Sequence, residues 1–272
     1  TVERRCTFRV TGKVPQLWNP ETGQTRQLPE YESSEECITV PLRFGPMQSW
    51  FVVFRNTESS ETSNDKNFPR YTSVKDISGP WQVRFDPEWG GPEKPVTFDA
   101  LQDWTEHDNK GIRYYSGTAV YSNTFNLSAS RLSESTPLHI DLGDVEVMAR
   151  VRVNGQDCGT LWKPPYRVDI SDAAEEGSNR LEIEVVNLWV NRMVGDERMY
   201  PEDGEWIKND ETLKQWPEWF LNDEIARPTG RYTFTSAKHY SREGAIYYGG
   251  DDPLDSSGLL GPVKIYTSDL KE

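Results

Sequence analysis

The sequence predicts an all-β protein built of packed sandwich sheets, and three observations carry that expectation. Apolar residues recur at every second position along short segments. Turn residues separate those segments at close intervals. No strand–helix alternation of the kind that builds a parallel sheet runs along the chain. Its 272 residues suffice for one large domain or two unequal ones.

The elements follow in order. Cys6, Phe8 and Val10 alternate with Arg5, Thr7 and Arg9, which gives one buried and one wet face. Gly12 to Pro15 turns the chain, Leu17 and Trp18 follow, and Asn19-Pro20-Glu21-Thr22-Gly23 turns it again. Ile38, Val40 and Leu42 repeat the alternation. Trp50 to Phe54 is a continuous apolar run, as expected of a central strand covered on both faces. From Asn56 to Arg70 the chain is almost wholly polar, which marks a linker or long solvated loop. The expected division is therefore a small β-sandwich segment at 1–56, a polar linker at 57–72 and a larger domain at 73–272.

The second block opens with Ser78-Gly79-Pro80 and the strand Trp81, Val83, Phe85. Val96 with Phe98, Tyr121 with Phe125, and Leu138, Ile140, Leu142 come next. Ala149, Val151 and Val153 should face inward while Arg150 and Arg152 face out. Asn154-Gly155 is a hairpin signal, because both residues tolerate the positive φ of a type I′ turn. Tyr166, Val168, Ile170 and Leu181, Ile183, Val185 form two more strands, and Tyr232 with Phe234 and Val263 with Ile265 close the series. The one expected helix lies within Asp210 to Asn222, where Pro217 should break or kink it. Trp189 to Asp223 holds Trp189, Trp206, Trp216 and Trp219 among polar residues. A loop of that length is functional or packed against something else.

Composition narrows the function. Aromatics make up 12% of the chain and include ten Trp, so a sizeable core can form. The net charge of −14 repels phosphate backbones and anionic lipid, so neither nucleic-acid partners nor membrane insertion are expected. Strongly acidic polymers are disfavoured away from local basic patches, whereas neutral sugars are indifferent to the charge. No apolar run approaches the roughly 20 residues of a spanning helix. Cys6, Cys37 and Cys158 give neither a dense disulfide framework nor a metal-binding spacing, and Cys6 suits a buried thiol. Thr1 leads almost at once into a strand, so the chain reads as a piece of a longer protein.

Candidate chemistry is sparse. No nucleophile elbow, phosphate loop, zinc-protease motif or dinucleotide fingerprint is present. His107, His139 and His239 have no nucleophile beside them in sequence. Glycoside hydrolysis needs two carboxyls across the scissile bond, and with 44 acidic residues some pair can always be found. Asp196 and Glu197 are adjacent, and neighbours on a strand point to opposite faces. They are better read, with Asn191 and Arg192, as anchors to another domain or to sugar hydroxyls, the alternative being a solvated charged loop. Trp162, Trp189, Trp206 and Trp219 are candidate sugar platforms or interface residues, while Trp50 and Trp81 look like core. Asp251, Asp252 and Asp255 gather oxygens that could hold a calcium ion, although a solvated turn has the same composition. No other cofactor is expected.

Several stretches resemble bacterial α-L-rhamnosidases of glycoside hydrolase family 106. They include Phe8 to Lys13 with Leu17 to Gly23, Leu42 to Phe54, Gly111 to Tyr121 and Val153-Asn154-Gly155. Leu181 to Glu197, Gly230 to Thr235 and Ser257 to Val263 complete the set, which covers nearly the whole chain apart from the linker. The second block also looks like the galactose-binding-like jelly roll that serves as the sugar-binding domain of family 2 hydrolases. The resemblance implies a catalytic (β/α)₈ barrel followed by β-sandwich domains, an extracytoplasmic setting and rhamnose-containing glycans. This chain has no barrel pattern, so no catalytic residue carries over. Three readings follow: an accessory region packed against the barrel of a parent hydrolase, an independent carbohydrate-binding module, and a self-sufficient hydrolase using Asp196 or Glu197.

Overall fold

A computed structural model of the chain describes residues 1–56, 66–132, 136–200, 205–207, 212–215, 221–222, 230–233 and 249–270. The regular structure of the described residues is mostly strand, arranged as sandwich sheets.

The first six strands are β1 (Val2–Phe8), β2 (Val14–Trp18), β3 (Thr25–Gln27), β4 (Glu32–Ser33), β5 (Ile38–Phe44) and β6 (Phe51–Arg55). They form two antiparallel three-stranded sheets in the orders β1-β5-β4 and β3-β2-β6. Between them lie Leu17, Leu28, Ile38, Val40 and Leu42, with Cys6, Phe8, Val10 and Phe68 packed around. Gly23, at φ 73°, closes the Asn19 turn by donating its N–H to the Asn19 carbonyl at 2.9 Å. The apolar run at 50–54 is not a doubly covered central strand: β6 is an edge strand, and Phe51 is 61% exposed. Trp50, Val52 and Phe54 pack on the core, so a two-residue rhythm is hidden in a uniformly apolar segment.

The polar stretch that reads as a linker is part of this sandwich at its end. Asn67 is buried, donates Nδ2 to the carbonyls of Glu30 at 2.7 Å and Pro41 at 3.0 Å, and accepts from the Glu30 N–H at 2.9 Å. Those bonds lay Phe68 on the small core. Residues 57–65 lie outside the described residues.

The larger sandwich begins at β7 (Tyr71–Ile77), β8 (Trp81–Phe85) and β9 (Val96–Phe98), followed by the single turn α1 (Lys110–Arg113) and β10 (Thr118–Leu127). Next come β11 (Leu138–Asp141), β12 (Asp144–Glu146), β13 (Met148–Val153), β14 (Gln156–Leu161), β15 (Arg167–Asp169) and β16 (Gly177–Val186). Helix α2 (Val190–Met199), the hairpin β17 (Glu205–Ile207) and β18 (Thr212–Gln215), then β19 (Gly258–Gly261) and β20 (Val263–Ser268) complete the fold. A six-stranded sheet, β14-β13-β16-β10-β8-β9, shares one core with a four-stranded sheet, β15-β11-β20-β7. Trp81, Phe85, Tyr121, Val151 and Ile183 come from the first, and Ile77, Leu138, Ile140 and Ile265 from the second. Asn154 and Gly155 turn the β13–β14 hairpin at φ 52° and 83°. Trp104, fully buried, donates Nε1–H to the Tyr121 hydroxyl at 2.5 Å, and burial pushes that phenol well above its ordinary pKa.

Two expectations fail in the second half. Within the stretch expected to hold the one helix, residues 212–215 are a strand and Leu221 is helical, while Pro217 lies outside the described residues. The long helix is instead α2, where Asp196 and Glu197 had been read as strand neighbours. Residues 230–233 form no strand, and Phe234 lies outside the described residues.

Candidate functional site

The positioning of α2 begins where β16 ends. Asn187 donates Nδ2 to the Tyr115 carbonyl at 2.8 Å and accepts the Gly117 N–H at 3.0 Å. The Ser116 hydroxyl donates to the Leu188 carbonyl at 2.9 Å and accepts the Arg192 N–H at 3.2 Å. The helix is thereby stitched to the segment before β10. It also lies flat on that segment: a Cβ added at Gly195 would sit 2.5 Å from the Tyr114 ring, so only glycine fits.

From this helix a buried polar network reaches the two segments that lack regular structure of their own. Asn191 donates Nδ2 to the Asp255 carbonyl at 2.7 Å and accepts the Asp255 N–H at 2.8 Å. Asp196, fully buried, accepts with Oδ2 from the N–H of Tyr232 at 2.9 Å, the N–H of Thr233 at 2.6 Å and the Thr233 hydroxyl at 2.9 Å. Its Oδ1 lies 3.6 Å from Arg192 Nη1. Arg192 also donates to the Trp89 carbonyl at 3.1 Å and stacks over the Tyr232 ring at 4.8 Å. Glu197 pairs with Arg231, which donates in turn to the Tyr200 and Thr233 carbonyls. Arg198 donates to the carbonyls of Gly250 at 2.8 Å and Asp252 at 3.0 Å. The hydrogen bonds of Arg192, Asp196 and Glu197 thus run into the fold, although among the described residues Asp196 Oδ1 has only the Arg192 ion pair and no hydrogen bond, and all three residues are buried.

The outward-facing chemistry lies at one end of the six-stranded sheet. Met148 pairs with Val186 and Ala149 with Leu161, so Met148, Trp162 and Leu188 emerge at the same sheet end. Trp162 is 60% exposed and Leu188 57%. Trp189 is half-exposed, with its ring edge-on to Trp89 at 5.4 Å. Beside them is a cleft of about 270 Å³ lined by the polar residues Glu146, Asp255 and Ser256 and the apolar residues Val147, Leu188 and Val190. Burial raises the Glu146 carboxyl above the usual range, and the charges of Asp144, Asp103 and Asp255 push the same way.

Of the residues singled out from sequence, Asn191, Arg192, Asp196 and Glu197 therefore come together on α2, and Trp162 and Trp189 lie at the exposed sheet end. The backbone of Trp206 belongs to β17, and Trp219 lies outside the described residues. In the aspartate loop, Asp252 accepts the Gly249 N–H and Asp255 is held through its main chain. Among the described residues no three His, Cys, Asp or Glu side chains converge as metal ligands. Sequence reasoning passed over Glu146, Leu188 and Arg231. Glu146 had no signal, because Asp103 and Asp255, which share its surroundings, are distant in sequence.

No protein-family model matches the chain. It is 38% identical over 267 residues to a protein of Formosa agariphila named "Putative beta-glucuronidase", covering 96% of this chain and 21% of that one. Among solved structures it resembles a rhamnosidase from Novosphingobium sp. PP1Y, at 32% identity and a TM-score of 0.72 over 97% of this chain and 21% of that one. The chain spans about a fifth of the length of these relatives, and over nearly all of its own length it is similar to one part of a glycoside hydrolase.

Proposed function

We propose that the chain is a non-catalytic accessory region of a larger glycoside hydrolase acting on rhamnose-containing glycans. Its exposed sheet end, with Met148, Trp162, Leu188 and Trp189, packs against the catalytic barrel of the parent chain. The observation that carries this reading is coverage: 97% of the chain corresponds to 21% of a rhamnosidase. The inward course of the Arg192, Asp196 and Glu197 hydrogen bonds supports a non-catalytic role, because an acid/base pair must reach the scissile bond. The cluster of exposed apolar residues supports an interface. An extracytoplasmic setting and the absence of nucleic-acid partners and membrane insertion belong to the same proposal.

The test is an assay on aryl α-L-rhamnoside and aryl β-D-glucuronide. The expected result is no turnover above buffer. Turnover abolished by Glu146→Gln or Asp196→Asn would overturn the reading.

A second reading, an independent carbohydrate-binding module, is favoured by the cleft, whose lining mixes apolar with polar side chains as a sugar requires. Titration with rhamnose-containing oligosaccharides, followed by tryptophan fluorescence, tests it. No change at millimolar sugar ends it.

A further inference from the structure

We propose that the small sandwich carries an oxyanion-binding pocket that takes a sulfate or carboxylate group where β1, β5 and residues 66–70 meet. The pocket has a volume of about 300 Å³, and Arg4, Arg5, Arg43, Lys66 and Arg70 line it around Phe68 together with Glu3 and Glu30. Cations outnumber carboxylates along this lining, in a chain whose net charge is −14. A local field of that sign, set against the global one, favours an anion only there.

Register explains what is unusual about Arg4. Phe8 pairs with Ile38, Cys6 with Val40 and Arg4 with Leu42. The first two pairs supply the small core, so Arg4 continues a core-facing row with a charge where the pattern calls for an apolar residue. Among the described residues its guanidinium makes one hydrogen bond, to the Glu3 carbonyl at 2.8 Å, and a guanidinium carries five N–H donors.

The rest of the pocket is held in place. The Asn67 hydrogen bonds fix the wall that carries Lys66, Phe68 and Arg70. Arg43 donates to the Pro69 carbonyl at 2.8 Å and stacks over Phe68 at 5.3 Å. Lys66 pairs with Glu30 at 2.6 Å and Arg5 with Glu32 at 2.5 Å, which neutralises those two cations. Among the described residues no carboxylate forms an ion pair with Arg4, Arg43 or Arg70, although Glu3, the cross-strand partner of Arg43, also lines the pocket. Planar forks of this kind match planar or tetrahedral oxyanions bidentately. The volume exceeds a bare ion, which leaves room for a ring that bears the group. This inference is independent of the accessory reading, since it concerns the other sandwich.

The test is an amide NMR titration of the 272-residue chain. Sodium sulfate and sodium D-glucuronate are added at ionic strength fixed with sodium chloride, with D-glucose as the neutral control. The expected result is saturable shifts confined to residues 3–5, 41–43 and 66–70, with glucose silent. The exposed pair Arg4→Gln and Arg70→Gln should together weaken binding about tenfold or more while the rest of the spectrum stays native. If that variant loses its native spectrum, Arg4→Lys with Arg70→Lys, which keeps charge and removes the fork, is read the same way. Saturation by one anion alone supports the site and identifies its group. Non-saturating or surface-wide shifts with both anions, an equal response to glucose, or undiminished binding by the variants would overturn it.

Discussion

Strand β16 and helix α2 are neighbours in sequence, and both turn most of their residues away from water, by different chemistry. β16 buries Leu181, Ile183 and Val185 completely. Each such side chain contributes about 1.5–3 kcal/mol through area alone. α2 buries Asn191, Arg192, Asp196 and Glu197. There, burial stabilises nothing unless each polar atom finds a partner. Many of the partners are the Arg231 side chain and main-chain groups of residues 232–233 and 250–255, which no sheet orders. The large sandwich is thus held by shape, whereas its irregular appendages are held by hydrogen-bond hubs on a single helix.

The comparison can be broken by substitution. Asp196→Ala leaves Arg192 buried without its carboxylate and two N–H groups without their acceptor, so it should cost about 3–5 kcal/mol in urea unfolding. Ile183→Val, a methylene lost from the apolar core, should cost only about 0.5–1.5 kcal/mol. Equal costs would erase the distinction. Gly195→Ala should lose about 1–3 kcal/mol to overpacking against Tyr114, although alanine is favoured in a free helix by about 1 kcal/mol.

Asp103→Ala should cost about 1 kcal/mol at neutral pH, since the carboxyl caps the turn at Trp104 by accepting the Thr105 N–H at 2.9 Å. Burial pushes this carboxyl up, but hydrogen bonds from Ser256, Thr105 and Ser257 outweigh it and hold it below its ordinary value. Its stabilisation is therefore present above the unfolded pKa of about 3.9 and lost as pH falls through the folded value. The substitution should make the acid limb of the stability profile shallower. Glu146, raised by burial, works in the opposite sense. Its contribution is full below about 4.3 and falls as pH rises through the folded value, so Glu146→Gln should flatten that decline.

The same contrast explains what could be read from the sequence. Strands such as Trp81-Val83-Phe85 and Ala149-Val151-Val153 announce themselves because apolar burial leaves a period in the residue types. The Asn154-Gly155 hairpin is equally legible, because its φ angles demand those residues. α2 is hidden because its buried face sets Asn191, Arg192, Asp196 and Glu197 beside only Val190 and Val194, which is too little for a hydrophobic stripe. The segment 66–70 read as linker because its ordering depends on Asn67, whose acceptors lie at Glu30 and Pro41. The candidate residues on α2 were found by their residue types, but their inward course depends on partners more than 30 positions away that spacing cannot reveal.

Hydrogen exchange at the amides of Tyr232 and Thr233 tests the role of α2 most directly. Both N–H groups point at Asp196, so in the native chain they should exchange slowly despite lying in no strand, and Asp196→Ala should release them while Val185 stays protected. Exchange of these two amides at unprotected rates in the native chain would contradict the account.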